Sequence, residues 1–312
     1  MTFKRLNRWL PTHPVTLVLA VWAGSMAFAA FWFLLGGRLL AALIYANLYS
    51  AFQSPVIAPK EIQIEIGEAP AALERRYGKS VESNKRNFGV EFYTIDWPSQ
   101  QSGVVILKNG GTEVRFDTVL GVNGTYDSLY PEEGFSDYSL SLGLWPRNNI
   151  PHEEARQKFF AMLQKIRQAG WVCWIEPNHP RLNGEYAYHY QITKSDQNYC
   201  LDPELMPSME VWMKLEDQST WAFYLNDVFM DVRLSRDSSK MNPALPGAYF
   251  LSINLYSKNE DQRSALAGDE RKKWRELYPD IRKKHAQLRL EAEKKLRVLN
   301  YKIDVKYKNP DE

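Results

Sequence analysis

Residues 15–35 form a run of 21 without one charged side chain, and no other feature of the sequence narrows the fold as much. As a helix rising about 1.5 Å per residue, the run is ~30 Å long, which matches the hydrocarbon thickness of a bilayer. The sequence therefore predicts one N-terminal transmembrane helix, in contact with lipid through 15–35. A second apolar stretch, 39–52, follows Gly36, Gly37 and Arg38. It has 14 residues and contains Asn47 and Ser50, which makes it short for a span. It reads as the same helix leaving the membrane, or as an amphipathic segment on the interface.

Charge orients the anchor. Lys4, Arg5 and Arg8 precede the run, whereas Arg38 and then Lys60 follow it. That excess favours a cytoplasmic N-terminus and a periplasmic remainder in a bacterial inner membrane. Ala27-Phe28-Ala29 fits a signal-peptide cleavage pattern. The apolar run, however, continues for six residues beyond it, where a cleavage site should close the hydrophobic region. A two-span hairpin turning at Gly36-Gly37-Arg38 is the competing topology, and it would return the large domain to the cytoplasm. The domain plan is a basic tail over 1–14, the anchor over 15–35, a membrane-proximal helix and linker over 36–60, and a periplasmic domain over 61–312. A subdivision near 145–151 stays open.

The domain itself reads as α+β, with mainly antiparallel strands and helices packed on one side. Strict alternation in Glu61-Ile62-Gln63-Ile64-Glu65-Ile66 marks a half-buried strand, and a short helix through Ala71, Leu73 and Tyr77 follows. Strands are expected over 90–97, 103–107, 113–119 and 138–144, with turns at Asn109-Gly110-Gly111 and Asn123-Gly124. The strongest helical pattern is 151–169. Pro151 opens it, Ala155, Phe159, Met162, Leu163 and Ile166 share a face, and Gly170 stops it. Strands at 171–175 and 186–192 come next, then a helix near 208–215. A hairpin over 220–234 should turn at Asn226-Asp227, and another strand covers 248–256. A helix over 269–299 should break at Pro279 and present Ile281, His285, Leu288, Ala292, Leu296 and Leu299 as an apolar seam. Residues 301–307 alternate again and suggest a closing strand.

Two cysteines are too few for a disulfide scaffold or a four-cysteine zinc site. Cys173 and Cys200 would close a loop of 28 residues if they pair, for roughly 3–4 kcal/mol. Two unrelated buried thiols fit the spacing equally well.

Evidence for catalysis is mostly negative. None of the five histidines falls in a His-Glu-x-x-His or comparable ligand pattern, so no metal or cofactor is expected. His179 and His189 could approach across a hairpin. There is no Gly-x-Ser-x-Gly elbow and no phosphate-binding glycine loop. Binding is the better supported class. Tyr186, Tyr188 and Tyr190 would share one strand face, as a ladder for sugar rings or for a protein partner. The bland reading of the same residues is cross-strand packing. The loop Asn178-His179-Pro180-Arg181-Leu182, with Glu185 beside it, is either a recognition tip or a structural turn.

Residues 60–268 carry 21 Lys and Arg against 28 Asp and Glu, and 269–312 carry 14 against 9. Acidic and aromatic residues interleaved after 170 suit a domain that grips a basic protein. A basic C-terminal helix with mixed signs reads as a solvated face, and no nucleic-acid module is present. The expectation is a non-catalytic, membrane-anchored binder of an envelope protein, of the immunity type or an accessory of a secretion system. A peptidoglycan-binding or cell-wall hydrolase domain and a structural subunit of a membrane complex are the alternatives.

Overall fold

Alternating apolar and polar residues write most of the strands, and the computed structural model shows how they assemble. It describes residues 58–85, 89–98, 100–144, 149–193 and 199–311. The expected anchor over 15–35 lies outside the described residues, as does the apolar stretch over 39–52. Among the described residues no helix is long and apolar enough to cross a membrane.

The strands are β1 (Glu61–Glu65), β2 (Glu82–Lys85), β3 (Val90–Asp96), β4 (Gly103–Asn109), β5 (Thr112–Asp127), β6 (Phe135–Gly143), β7 (Val172–Cys173), β8 (Ser219–Leu225), β9 (Val228–Arg236) and β10 (Tyr249–Ser257). The helices are α1 (Pro70–Tyr77), α2 (His152–Gln168), α3 (Gly184–Thr193), α4 (Met209–Lys214), α5 (Lys258–Ser264) and α6 (Trp274–Val298). The architecture is α+β, built on one large mixed sheet in the order β1-β4-β5-β6-β10-β9-β8-β7. β1 runs parallel to β4, and the other strand pairs are antiparallel. β5 is long enough to serve two neighbours on one edge, β4 along its first half and β3 along its second. This single sheet spans both sides of 145–151.

One face of the sheet carries the main core. Val122, Leu140, Leu142, Leu251, Ile253, Val232, Trp221 and Phe223 meet Ala155, Phe159, Leu163 and Ile166 of α2. Those α2 positions recur every three to four residues, so helical spacing alone directs them inward. A buried aliphatic or aromatic side chain stabilises the fold by about 1.5–3 kcal/mol. Pro151 caps α2, and Glu153 and Glu154 complement the positive end of its dipole. The β8–β9 hairpin turns where the sequence places it. Asn226 and Asp227 take φ of 48° and 60°, values that a two-residue hairpin loop needs and that Asn and Asp tolerate.

The structure departs from the sequence expectation in seven places. The segment expected as a strand over 186–192 is the helix α3, whose buried Ala187, Tyr188 and Gln191 follow helical spacing. The polar β2 has no apolar alternation to reveal it. No turn forms at Asn123-Gly124, because β5 runs straight through it. Gly124 serves packing there: a Cβ would stand 2.6 Å from the Tyr138 ring and 3.0 Å from Phe135. α6 is continuous across Pro279, which lies in the second turn, so the acceptor it leaves unpaired belongs to the helix's amino end.

The fifth and sixth departures concern the C-terminal part. The expected seam on α6 is packed only in part: Leu296 is buried, whereas Leu288 is 44% and Leu299 is 53% exposed. α6 docks through polar groups as well. Arg181 bonds the fully buried Glu293 with Nε–Oε1 at 2.7 Å and Nη2–Oε2 at 2.8 Å. Arg289 reaches the carbonyls of His179, Ile175 and Glu176. Residues 301–307 form no strand; Tyr301 and Ile303 pack under α6 with Leu296, Leu182 and Tyr199. Finally, helices lie against both faces and not on one side as expected, since α5 contacts β6, β9 and β10 on the side away from α2.

Candidate functional site

The sheet face opposite α2 is polar over much of its width, and the register shows why. Glu82 pairs with Thr94, Thr94 with Asn123, Asn123 with Ser139, Ser139 with Asn254, and Asn254 with Asp231. One row of short polar side chains thus crosses six strands, about 24 Å at the usual strand spacing. Within it Thr94 Oγ1 bonds Asn123 Oδ1 at 3.1 Å, and Ser139 Oγ bonds Asn254 Oδ1 at 3.0 Å. The next row runs Asn84, Phe92, Thr125, Asp137, Tyr256 and Phe229.

At the β6–β10–β9 end, α5 and the segment after β7 rise over this face and enclose an open pocket of about 500 Å³. Its wall carries Asp137, Glu176, Asp231, Glu260 and Asp261, with Arg233 and Tyr256 among them. Two of the carboxylates are held by arginines. Asp231 accepts from Arg233 Nη2 at 3.1 Å and from the Tyr256 hydroxyl at 3.3 Å. Glu260 holds Arg263 at 2.7 Å and Arg271 at 2.6 Å. Among the described residues no salt bridge reaches Asp137 or Asp261.

Burial therefore dominates the titration of those two. It pushes Asp261 up to about 7, helped by the charges of Asp311, Glu176 and Asp231, while Arg282 offsets part of the rise. Burial likewise pushes Asp137 up to about 6, although hydrogen bonds from Thr125 and Ser136 pull the other way. Asp231 is raised by burial despite Arg233. Clustered carboxylates whose charges are costly are suited to receive a cationic group, because a cation supplies what desolvation removed. Carboxyls that keep a proton near neutral pH could also act as general acids.

The residues singled out from the sequence are placed elsewhere. Tyr186, Tyr188 and Tyr190 sit on the helix α3, so they form no ladder. Tyr188 points into the core, where its hydroxyl meets the carbonyls of Asp202 and Leu205 and accepts from Trp221 Nε1. Tyr186 and Tyr190 turn towards the Tyr301 ring. His179 is half-buried with its ring tilted against Tyr199; burial, with the Arg289 charge, holds its pKa down at about 4. His189 bonds the Tyr301 hydroxyl at 2.7 Å, so the two histidines do not meet. Arg181 is spent on Glu293, which makes the 178–182 loop a structural turn under α6. Glu185 is exposed. Cys173 and Cys200 are free thiols in this structure. Among the described residues no group of three or more His, Cys, Asp or Glu is placed to hold a metal ion.

The pocket residues escaped sequence reasoning because no single segment contains them. Each strand does carry a signal, as in Asp137-Tyr138-Ser139-Leu140-Ser141, where every second residue is polar. Which strands lie side by side is set by pairing between segments over a hundred residues apart, which a single sequence does not reveal. Comparison with protein-family models, curated proteins and solved structures finds no match for this chain.

Proposed function

We propose that this is a single-span, membrane-anchored protein of the bacterial envelope whose periplasmic domain binds another protein without catalysing a reaction. Its acidic pocket would take a Lys or Arg side chain of that partner, with the polar sheet face as the surrounding contact. The observation that carries this reading is the convergence of Asp137, Asp231 and Asp261 in one open pocket, two of them with no salt bridge among the described residues. The charge-free run over 15–35 and the basic residues before it support the anchoring and orientation. Neutralising an envelope-directed toxin, or serving a secretion apparatus, fits an anchored binder of this kind.

The test uses the full chain in detergent, cross-linked to envelope extracts at pH 8 and pH 5.5. Wild type should retain one partner at least tenfold better than an Asp137→Asn/Asp261→Asn variant. Retention should also weaken at pH 5.5, where both carboxyls hold their protons. Equal recovery from both chains, at both pH values, refutes the reading.

A second reading has one specific observation in its favour. Asp137 at about 6 and Asp261 at about 7 are poised to exchange protons near neutral pH, as cell-wall glycoside hydrolysis would require. Release of soluble fragments from purified peptidoglycan by wild type, and not by the double variant, would favour it over the binder.

A further inference from the structure

Two sulfurs lie along one edge of β8. β9 occupies the whole of its other edge, from Ser219↔Leu234 to Leu225↔Val228. The outer edge takes β7 through Val172↔Tyr224 and Cys173↔Phe223, and further along it the isolated bridge Cys200↔Thr220. Trp174 N and Leu201 N continue the same edge, bonding Ala222 O and Thr220 O at 2.9 Å each. The backbone thus brings to one strand edge, opposite Phe223 and Thr220 of β8, two residues that stand 27 positions apart in the chain. The nearby Cys173 side chain, together with burial, raises the Cys200 thiol's pKa, and both cysteines pack in one cluster with Trp174, Ala222, Tyr224 and Phe229.

Their environments differ in a useful way. Cys173 is half-buried and Cys200 is buried. Cys200 Sγ accepts the Ala222 N–H at 3.2 Å, while its own S–H finds only the carbonyls of Leu201 and Ala222 at 3.7 and 3.8 Å. These are weak partners for a donor inside an apolar cluster. A bond between the two sulfurs would remove both S–H groups from that cluster. It would also fix the outer edge just before Glu176, which stands at the rim of the acidic pocket.

We propose that Cys173 and Cys200 form a reversible covalent staple, closed by thiol–disulfide exchange with an external disulfide. The more accessible Cys173 loses its proton and its thiolate attacks one sulfur of that disulfide, breaking the S–S bond and releasing one thiolate. Cys200 then loses its proton and attacks Cys173 Sγ, which forms the internal S–S bond and expels the second thiolate. Each released thiolate takes up a proton. Two protein thiols are oxidised by two electrons, and one external disulfide is reduced to two thiols. The staple closes a loop of 28 residues that contains α3. It does not depend on what the acidic pocket binds.

The experiment equilibrates the full-length chain in detergent with glutathione disulfide, then with excess reductant, and labels the free thiols after rapid denaturation. Under oxidation both thiols should disappear together and no glutathione should remain attached. Digestion should yield one peptide pair joined through Cys173 and Cys200. The unfolding temperature should rise by about 5–10 °C and return on reduction. A Cys200→Ser variant should instead stop with glutathione on Cys173, which identifies the entry thiol. If that variant does not fold, the wild-type thiol count and linked peptides still decide the matter. Two thiols still open to labelling after oxidation overturn the proposal, as does a link that forms only in denaturant or between two chains.

Discussion

Replacing Asp261 by Asn should stabilise the protein, and should do so only where the carboxyl would be ionised. In the folded chain burial holds this group at about 7, against an ordinary value of 3.8. A folded value above the unfolded one means that the native state binds the extra proton between those limits. Its stabilising contribution is complete below 3.8 and is lost as the pH rises through about 7. At 1.36 kcal/mol per pH unit, the ceiling at pH 8 is roughly 4 kcal/mol. Partial solvent contact and the amino end of α5, where Asp261 lies in the first turn, both favour the charged form and reduce this figure. About 1–2 kcal/mol is the expected gain for Asp261→Asn at pH 8, or roughly 3–6 °C in unfolding temperature. Near pH 4 the two chains should melt almost together. Urea or thermal unfolding at pH 4, 6 and 8 measures this directly. A variant no more stable than wild type at pH 8, or a gap that does not shrink towards acid, would show that this carboxylate is not held against its solvation preference.

Glu293 offers the opposite case, a buried carboxylate with good partners. Glu293→Ala should cost roughly 3–5 kcal/mol, because Arg181 would be left partly buried without its carboxylate. Amide exchange of Leu182 and Ala187 should quicken with it, and a loss below about 1 kcal/mol would contradict the docking role given to this pair. His179, held at about 4 by burial, should show no imidazole titration in NMR spectra above pH 5.5. The stability it contributes is present above its unfolded value of 6.5 and drains away as pH falls through about 4. A midpoint near 6.5 would mean that the ring is solvated.

Local pattern made some of this fold legible, and only where local pattern decides. α2 shows its spacing and its acidic first turn in seventeen consecutive residues, with Pro151 just before them. The β8–β9 turn follows from the tolerance of Asn226 and Asp227 for positive φ. α3 was misread because Tyr186, Tyr188 and Tyr190 alternate as a strand would. The buried Ala187 beside Tyr188 is what breaks that alternation, and only the tertiary environment reveals it. Gly124 resembled a turn residue, yet the reason for a glycine there is an aromatic pair lying on the backbone. The acidic pocket was least legible. Its carboxylates come from β6, β9, α5 and the segment after β7, and nothing but the pairing of distant strands assembles them.

The junction of β6 with β10 has a kinetic consequence. Strands from the first part of the chain gather on one side of it, and the later strands gather on the other. The β4–β5–β6 and β8–β9–β10 strands can zip through local hairpins, but uniting them means closing a loop of over a hundred residues, from Gly143 to Tyr249. That union should be the slow event of folding, with the amides that bond β6 to β10 the last to gain protection in pulse-labelled refolding. Until it happens, two naked rims face the solvent, each an invitation to the wrong neighbour.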